Sequence, residues 1–221
     1  MVEELAEAVE AIGATDSVRV VTLTGRGSAF SSGWERMRVR SPEELPSYQA
    51  ARVIARIAIP VVAAINGDAI GPGLEMALAA DIRIATDTAR LGMPQVTVGA
   101  LPWDGGTQRL PRVVGRAHAL EMLLTGKVLD AAQAHRIGLV SQVVEAGDLA
   151  DALGRVVDQI LSGAPIATRY AKEAVMQGME APLEHALRLE ADISILLHGT
   201  RDRAEGIRSF IQRRKPRFRG R

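Results

Sequence analysis

Two hydrophobic periods divide the chain. Leu5, Ala8, Val9 and Ile12 recur at helical spacing with Glu3, Glu4, Glu7 and Glu10 between them, which predicts an amphipathic helix closed by Gly13. Residues 18–23 (VRVVTL) are β-branched and read as a strand, followed by a flexible loop, TGRGS, at 24–28. Residues 35–50 are charged and irregular, carry Pro42 and Pro46, and are expected to form a mobile surface segment. A helix is expected over 50–59. The most structured stretch is 59–85, IPVVAAINGDAIGPGLEMALAADIRIA. It reads as a buried strand at 61–65, a turn marked by Asn66, Gly67 and Asp68, a helix over 74–80, and a second strand at 82–85. Pro72 suits the first helical position, where an amide hydrogen has no intrahelical partner.

The next segment, LGMPQVTVGALPWDGGTQRLPRVVG, is rich in glycine and proline and reads mostly as loop, with a short extended piece at 96–98. Helices are expected at 116–125 and 131–137, the latter with Asp130 as N-cap, and an extended stretch at 138–144. Beyond it the pattern is almost entirely helical: 149–161, 165–177, 183–197 and 201–213. Strands and helices alternate in the first part, which points to an α/β fold with crossover connections. No internal repeat is visible. The organisation expected is a core over residues 1–140 that carries the site, and a helical region over 141–221.

Composition narrows the function classes. At 221 residues the chain is long enough for one substantial core. Its net charge of +1 and 3% aromatic content argue against a nucleic-acid partner. No cysteine is present, which excludes disulfides, thiolate metal sites and a cysteine nucleophile. No apolar run reaches membrane-spanning length, and the acidic amphipathic start is unlike a signal peptide, so a cytoplasmic protein is expected. His118, His135, His185 and His198 are scattered without metal-ligand spacing and read as surface or packing residues. One acid, Glu75, sits inside the oily 59–85 stretch, in the first turn of its helix. It is either a first-turn carboxylate favoured by the helix dipole or a functional acid beside a glycine-lined turn that a ligand can approach.

Four motifs in order resemble the crotonase (enoyl-CoA hydratase/isomerase) superfamily over essentially the whole length. These are AFSSG at 29–33, AINGDAIGPGLEMALAADIRIA, GALPWDGGTQRLPRVVGRAHALEMLLTG and DRAEGIRSFIQRRKPRF. The resemblance implies a crotonase-like α/β spiral of ββα units with a C-terminal helical trimerisation region. It implies an acyl-CoA ligand, in which coenzyme A is part of the substrate and no separate cofactor is used. A homotrimer or a dimer of trimers is expected, with no nucleic acid or membrane involved. In that family two backbone amides hold the thioester oxygen and stabilise the developing enolate. The first loop maps to Ser32, Gly33 and Trp34, with Trp34 as donor; the second maps to Gly71, Pro72 and Gly73. The position three before Glu75 is Pro72, which has no amide hydrogen.

Glu75 matches the first family glutamate. The second lies in a G-x-P-E motif, which here is Gly92, Met93, Pro94 and Gln95, and a glutamine exchanges no proton at neutral pH. Asp104 is a candidate substitute acid or an ordinary turn aspartate; dienoyl-CoA isomerases carry an aspartate one residue earlier, at the position of Trp103. Trp103 narrows the acyl pocket or anchors the core. The family's opening strand pair has no counterpart before the first helix, so contacts to the adenine end are not assigned. Trp34-Glu35 stands where the family has a small residue and aspartate, through substitution or an omitted stretch. The basic tail, Arg213 to Arg221, would reach coenzyme phosphates in a neighbouring subunit with Phe210 and Arg213, or fray in solvent. The readings that follow are an enoyl-CoA hydratase (lyase), a double-bond isomerase, another crotonase-type reaction such as a hydrolase, or a weakly catalytic acyl-CoA binder.

Overall fold

The computed structural model describes residues 1–31, 33 and 41–221. Ser32 and Trp34, both assigned to the first loop, lie outside the described residues. The chain divides into two compact units, one of residues 1–57 and 61–155, the other of residues 58–60 and 156–221.

The first unit opens with α1 (Val2–Gly13), and β1 (Val21–Thr24) follows. The strand starts three residues later than the sequence pattern predicts. Its partner β2 (Val61–Ile65) pairs Val21 with Val61, and the residue before Val61 is Pro60, which has no amide for a ladder. Pro42–Tyr48, expected as irregular surface chain, is a short 3-10 helix with Pro42 at its start. Then α2 (Ala50–Ile54) spans only five residues. Its expected extension to residue 59 is cut off by tight turns, Arg56 N–H to Val53 O and Ile57 N–H to Ile54 O, ahead of Pro60, which disfavours helix at the residue before it.

β2 leads through β3 (Ala69–Ile70) into α3 (Pro72–Ala79), and β4 (Ile82–Thr86) comes next. β1, β2, β4 and β7 (Gln142–Val144) form a parallel four-stranded sheet in that order. β2 is its most enclosed strand, every residue at most 1% exposed, as expected of a parallel strand covered on both faces. A second sheet joins β3, β5 (Arg90–Gly92) and β6 (Val128–Asp130), parallel then antiparallel. These two- and three-residue strands are too short to show a period, so the pattern did not reveal them.

Residues 96–98, expected extended, instead lie in a 3-10 helix, Pro94–Val98. Pro94 starts it, the Thr97 hydroxyl donates to the Pro94 carbonyl at 2.7 Å, and Gly99 ends it in the left-handed region at φ 73°. α4 (Gly106–Thr125) begins ten residues earlier than predicted and is kinked at Gly115, φ 77°. Burial of Leu110 and Val114 outweighs the presence of Pro111 in this first half. α5 (Ala131–Arg136) starts in a capping box, in which Asp130 and Gln133 satisfy one another's backbone amides.

α6 (Leu149–Ser162) contains the boundary between the units, and the second unit adds α7 (Pro165–Gly178), α8 (Leu183–His198) and α9 (Arg201–Ile211). α9 ends in a Schellman motif: Arg213 N–H reaches Phe210 O and Arg214 N–H reaches Ser209 O, both at 3.1 Å. Arg213 occupies the left-handed position usually taken by glycine, φ 50°. The basic tail is pinned rather than frayed. The buried Asp202 carboxylate accepts the amides of Arg219 and Gly220 at 2.7 Å each, and Glu205 accepts both terminal nitrogens of Arg214 and the Arg217 amide.

Candidate active site

The site is assembled where the loop after β1, the turn before α3 and the loop before α4 meet. Asn66, read from sequence only as a turn residue, organises the first of these. Its side-chain amide donates to Gly25 O at 3.1 Å and Gly27 O at 2.9 Å, while its carbonyl accepts the Gly25 amide at 3.0 Å. Beyond it, Ser31 N–H donates to Asp68 O at 2.9 Å and Ile70 N–H to Ser31 O at 3.0 Å. A β-carbon on Gly73 would collide with the Ser31 carbonyl, so glycine is required for this approach. Gly33, φ 91°, borders the same turn: a β-carbon there would lie 3.3 Å from Ile70 O and 3.4 Å from Pro72 Cδ.

α3 is held at both ends. Pro72 occupies its first position, and the N-cap Gly71 adopts φ 55°, with its amide donating to Gly92 O at 2.8 Å. At the other end the buried Arg83 guanidinium of β4 donates to Ala80 O at 2.7 Å and, through Nε, to Leu139 O at 2.8 Å. This caps the helix where its carbonyls lack partners.

Glu75 is 1% exposed among Leu74, Ala77 and Leu78 of its own helix, all buried. Its Oε1 accepts two backbone amides of the loop before α4, Asp104 at 2.7 Å and Gly106 at 2.8 Å. Oε2 has no hydrogen-bond donor among the described residues. Burial pushes the Glu75 carboxyl up to about 7; the Gly106 and Asp104 amides oppose that rise. The outcome is an acid poised near neutrality with one oxygen fixed and the other without a donor among the described residues; a carboxyl titrating near 7 is suited to moving a proton at physiological pH. Gly106 has no room for a side chain: a β-carbon would sit 2.7 Å from Met93 Sδ and Pro102 Cβ, and 3.0 Å from Glu75 Oε1.

Asp104 sits beside this carboxylate but its own side chain faces another way. It accepts the amides of Ala51 and, at 2.9 Å, Arg52, and so caps the N-terminus of α2. Burial raises its carboxyl as well, against those same two amides. The Arg109 guanidinium donates to the Asp104 carbonyl at 2.7 Å and braces the loop from α4. The sequence pointed to Asp104 for its carboxyl; the structure brings its amide to Glu75 instead. The two amides that grip Glu75 carry no side-chain signature, although the Gly105-Gly106 pair marks a place where the backbone is closely approached.

Gln95 lies in the 3-10 helix after Met93, 7% exposed, with a buried Oε1 that has no hydrogen-bond partner among the described residues. Its Nε2 faces Gly71. The Trp103 indole N–H is likewise buried without a partner among the described residues, and its backbone carbonyl accepts from Gln49 at 3.5 Å. Phe210 and Arg213 belong to the second unit, where the Phe210 ring is 85% exposed. A surface cleft of about 160 Å³ on α4, lined by His118, Glu121, Lys127 and Arg136 among others, does not include Glu75. Among the described residues no group of histidine and acidic side chains is arranged to hold a metal ion, and no helix is long and apolar enough to cross a membrane.

Comparison with known proteins agrees with this architecture. The enoyl-CoA hydratase/isomerase family description matches residues 1–221. A crotonyl-CoA hydratase of Syntrophomonas wolfei is 37% identical over 224 residues, covering 97% of this chain and 86% of that protein. An (E)-benzylidenesuccinyl-CoA hydratase of Thauera aromatica is 40% identical over 210 residues, 92% of this chain and 82% of the relative. Among solved structures, an enoyl-CoA hydratase from Bacillus anthracis superimposes with a TM-score of 0.94 at 35% identity, over all of this chain and 88% of the other. With the fold, the amide-held glutamate and these likenesses together, the chain belongs to the enoyl-CoA hydratase/isomerase family and is an enzyme of the crotonase fold.

Proposed function

We propose that this enzyme adds water across the double bond of an enoyl-CoA thioester, with Glu75 as the acid/base. The observation that carries this reading is a buried carboxyl near neutrality whose Oε1 is locked by two amides while Oε2 has no hydrogen-bond donor among the described residues. The hydratase names of the Syntrophomonas and Thauera relatives support the reaction class. One carboxylate suffices to balance the step. Water attacks the β-carbon as its proton passes to Glu75, the thioester takes up the electron pair as an enolate, and the same proton then returns to the α-carbon. Coenzyme A enters as part of the substrate.

A second reading, double-bond isomerisation, is favoured by Gln95. Where the family has its second glutamate this chain has an amide, and the Asp104 carboxylate is engaged in capping α2. Glu75 alone can remove a proton from one carbon and return it two carbons away. Following conjugated-thioester absorbance separates the two: hydration removes it, whereas isomerisation of an unconjugated thioester creates it. Either way Glu75→Gln is expected to lower turnover by roughly 10²–10⁴-fold, the usual contribution of a positioned acid/base. Full activity of that variant would rule out Glu75 as the base.

The same family resemblance supports a homotrimer or a dimer of trimers. Exposed apolar side chains on α8 and α9, among them Leu183, Leu196, Ile207 and Ile211, are consistent with self-association through that region.

A further inference from the structure

We propose that the side-chain amide of Gln95 donates the hydrogen bond to the thioester oxygen that residue 72 has no hydrogen to make. This rests on the acyl-CoA reading above and assigns the electrostatic half of its chemistry. Neither Gly71 nor Pro72 has a free backbone N–H to offer a ligand oxygen. Pro72 has no N–H, and the Gly71 N–H is engaged by Gly92 O at 2.8 Å. Gln95 stands against this entrance from the neighbouring 3-10 helix.

Its orientation follows from what it buries. Oε1 is shut away from solvent without a donor among the described residues. Turning the amide over would bury two unpaired N–H bonds in place of one acceptor, a larger cost. The observed arrangement therefore leaves Nε2 directed at Gly71 and without an acceptor among the described residues. Gly71 in turn leaves a niche in front of that donor. A β-carbon built on it would lie 3.4 Å from Nε2 and 3.7 Å from Cδ of Gln95, the nearest atoms among the described residues apart from those of its chain neighbours. An oxygen atom placed there meets an N–H donor at close to hydrogen-bonding distance. Gly33 reaches the same turn from the opposite loop, next to Pro72.

The choice of glutamine over glutamate at this position then has a charge rationale. As Glu75 takes the proton, the electron pair moves into the carbon framework and the thioester oxygen becomes an enolate oxygen. A neutral amide donor favours that charge; a carboxylate would oppose it. A buried polar atom left unpaired in the free protein is expected where a ligand completes the network.

The test compares wild type, Gln95→Ala and Gln95→Glu on a panel of 2-enoyl- and 3-enoyl-CoA thioesters, measuring kcat and KM separately. Binding of an S-alkyl-CoA thioether, which lacks the carbonyl oxygen, is measured alongside and reports intact folding. The expected result is a fall in kcat of roughly 10²–10³-fold for Gln95→Ala, the range for loss of one oxyanion donor, with KM changed less than about threefold. Gln95→Glu falls at least as far, and thioether affinity is unchanged in both. Turnover of Gln95→Ala within about threefold of an active wild type, or faster hydration by Gln95→Glu, overturns the inference and leaves the acyl-CoA reading standing. Absence of turnover by the wild type across the panel overturns both.

Discussion

Glu75 shows how one residue is tuned by opposing contributions, of which burial is the largest. Burial alone would keep the carboxyl neutral, and two amides alone would keep it ionised; together they leave it at about 7. Two consequences can be measured. As a base Glu75 must be ionised, so kcat/KM is expected to rise with pH below about 7 and level off above it. The stability consequence has the opposite sign. Because its carboxyl titrates higher in the folded state than at the ordinary 4.5, folding favours the protonated form. The stabilisation is complete below about 4.5 and is lost as pH rises through about 7. The loss amounts to ~3 kcal/mol, an order-of-magnitude figure from 1.4 kcal/mol per unit. Glu75→Gln keeps an acceptor for the two amides and has no proton to lose. Urea unfolding of both proteins at pH 4.5 and pH 8 should show the variant gaining on wild type by about that amount; a pH-independent difference would mean that Glu75 is solvated.

At the scale of elements, α3 is a short helix with a fixed address. Arg83 anchors its carbonyl end, glycine contacts with Ser31 anchor its start, and Asp81 accepts the Val61 amide at 2.7 Å to tie its exit to β2. The loop that grips Glu75 is held by different means, the Asp104 carboxylate on α2. Asp104→Ala leaves the buried Ala51 amide and the part-buried Arg52 amide without their acceptor and frees the loop. We expect a loss of about 1–2 kcal/mol of stability together with at least tenfold lower turnover. Asp104→Asn retains an acceptor for α2 and should recover most of the activity, which a role as a proton donor would not permit. Equal damage from both variants would favour the acid.

These elements also mark how far the sequence could be read. β2, α3 and β4 were legible because uninterrupted short apolar runs and a proline followed by strong helix formers each leave a local trace in the sequence. The 3-10 helix at Pro94–Val98 was not, because Val96 and Val98 favour extended chain, whereas Pro94 and the Thr97 hydroxyl close a local turn. The first half of α4 was hidden by Gly105, Gly106 and Pro111. Its helical state follows from burial of Leu110 and Val114, which only the assembled core supplies.

For the whole molecule, Glu75, the proposed acid/base, lies in the first unit. The second unit presents apolar helical surface, with Leu196 61% and Ile211 74% exposed. If that surface joins copies of the chain, Leu196→Arg together with Ile211→Arg should shift the sedimentation behaviour from a trimer or hexamer to a smaller species. A wild type that sediments as a monomer at micromolar concentration would dispose of the proposed association. The tail is secured independently, since Asp202 and Glu205 bind it within the unit.

The sequence by itself determined the class of fold and the family, and it singled out Glu75, the proposed acid. Those depend on runs of apolar residues and on motif order, and both are written locally along the chain. Only the tertiary structure decided what each polar group does. Asp104 turned out to cap a helix begun 54 residues earlier in the chain, and the amides of its loop hold Glu75. Backbone amides have no letter in the sequence, and a carboxyl's proton affinity depends on the neighbours that folding brings within hydrogen-bonding distance.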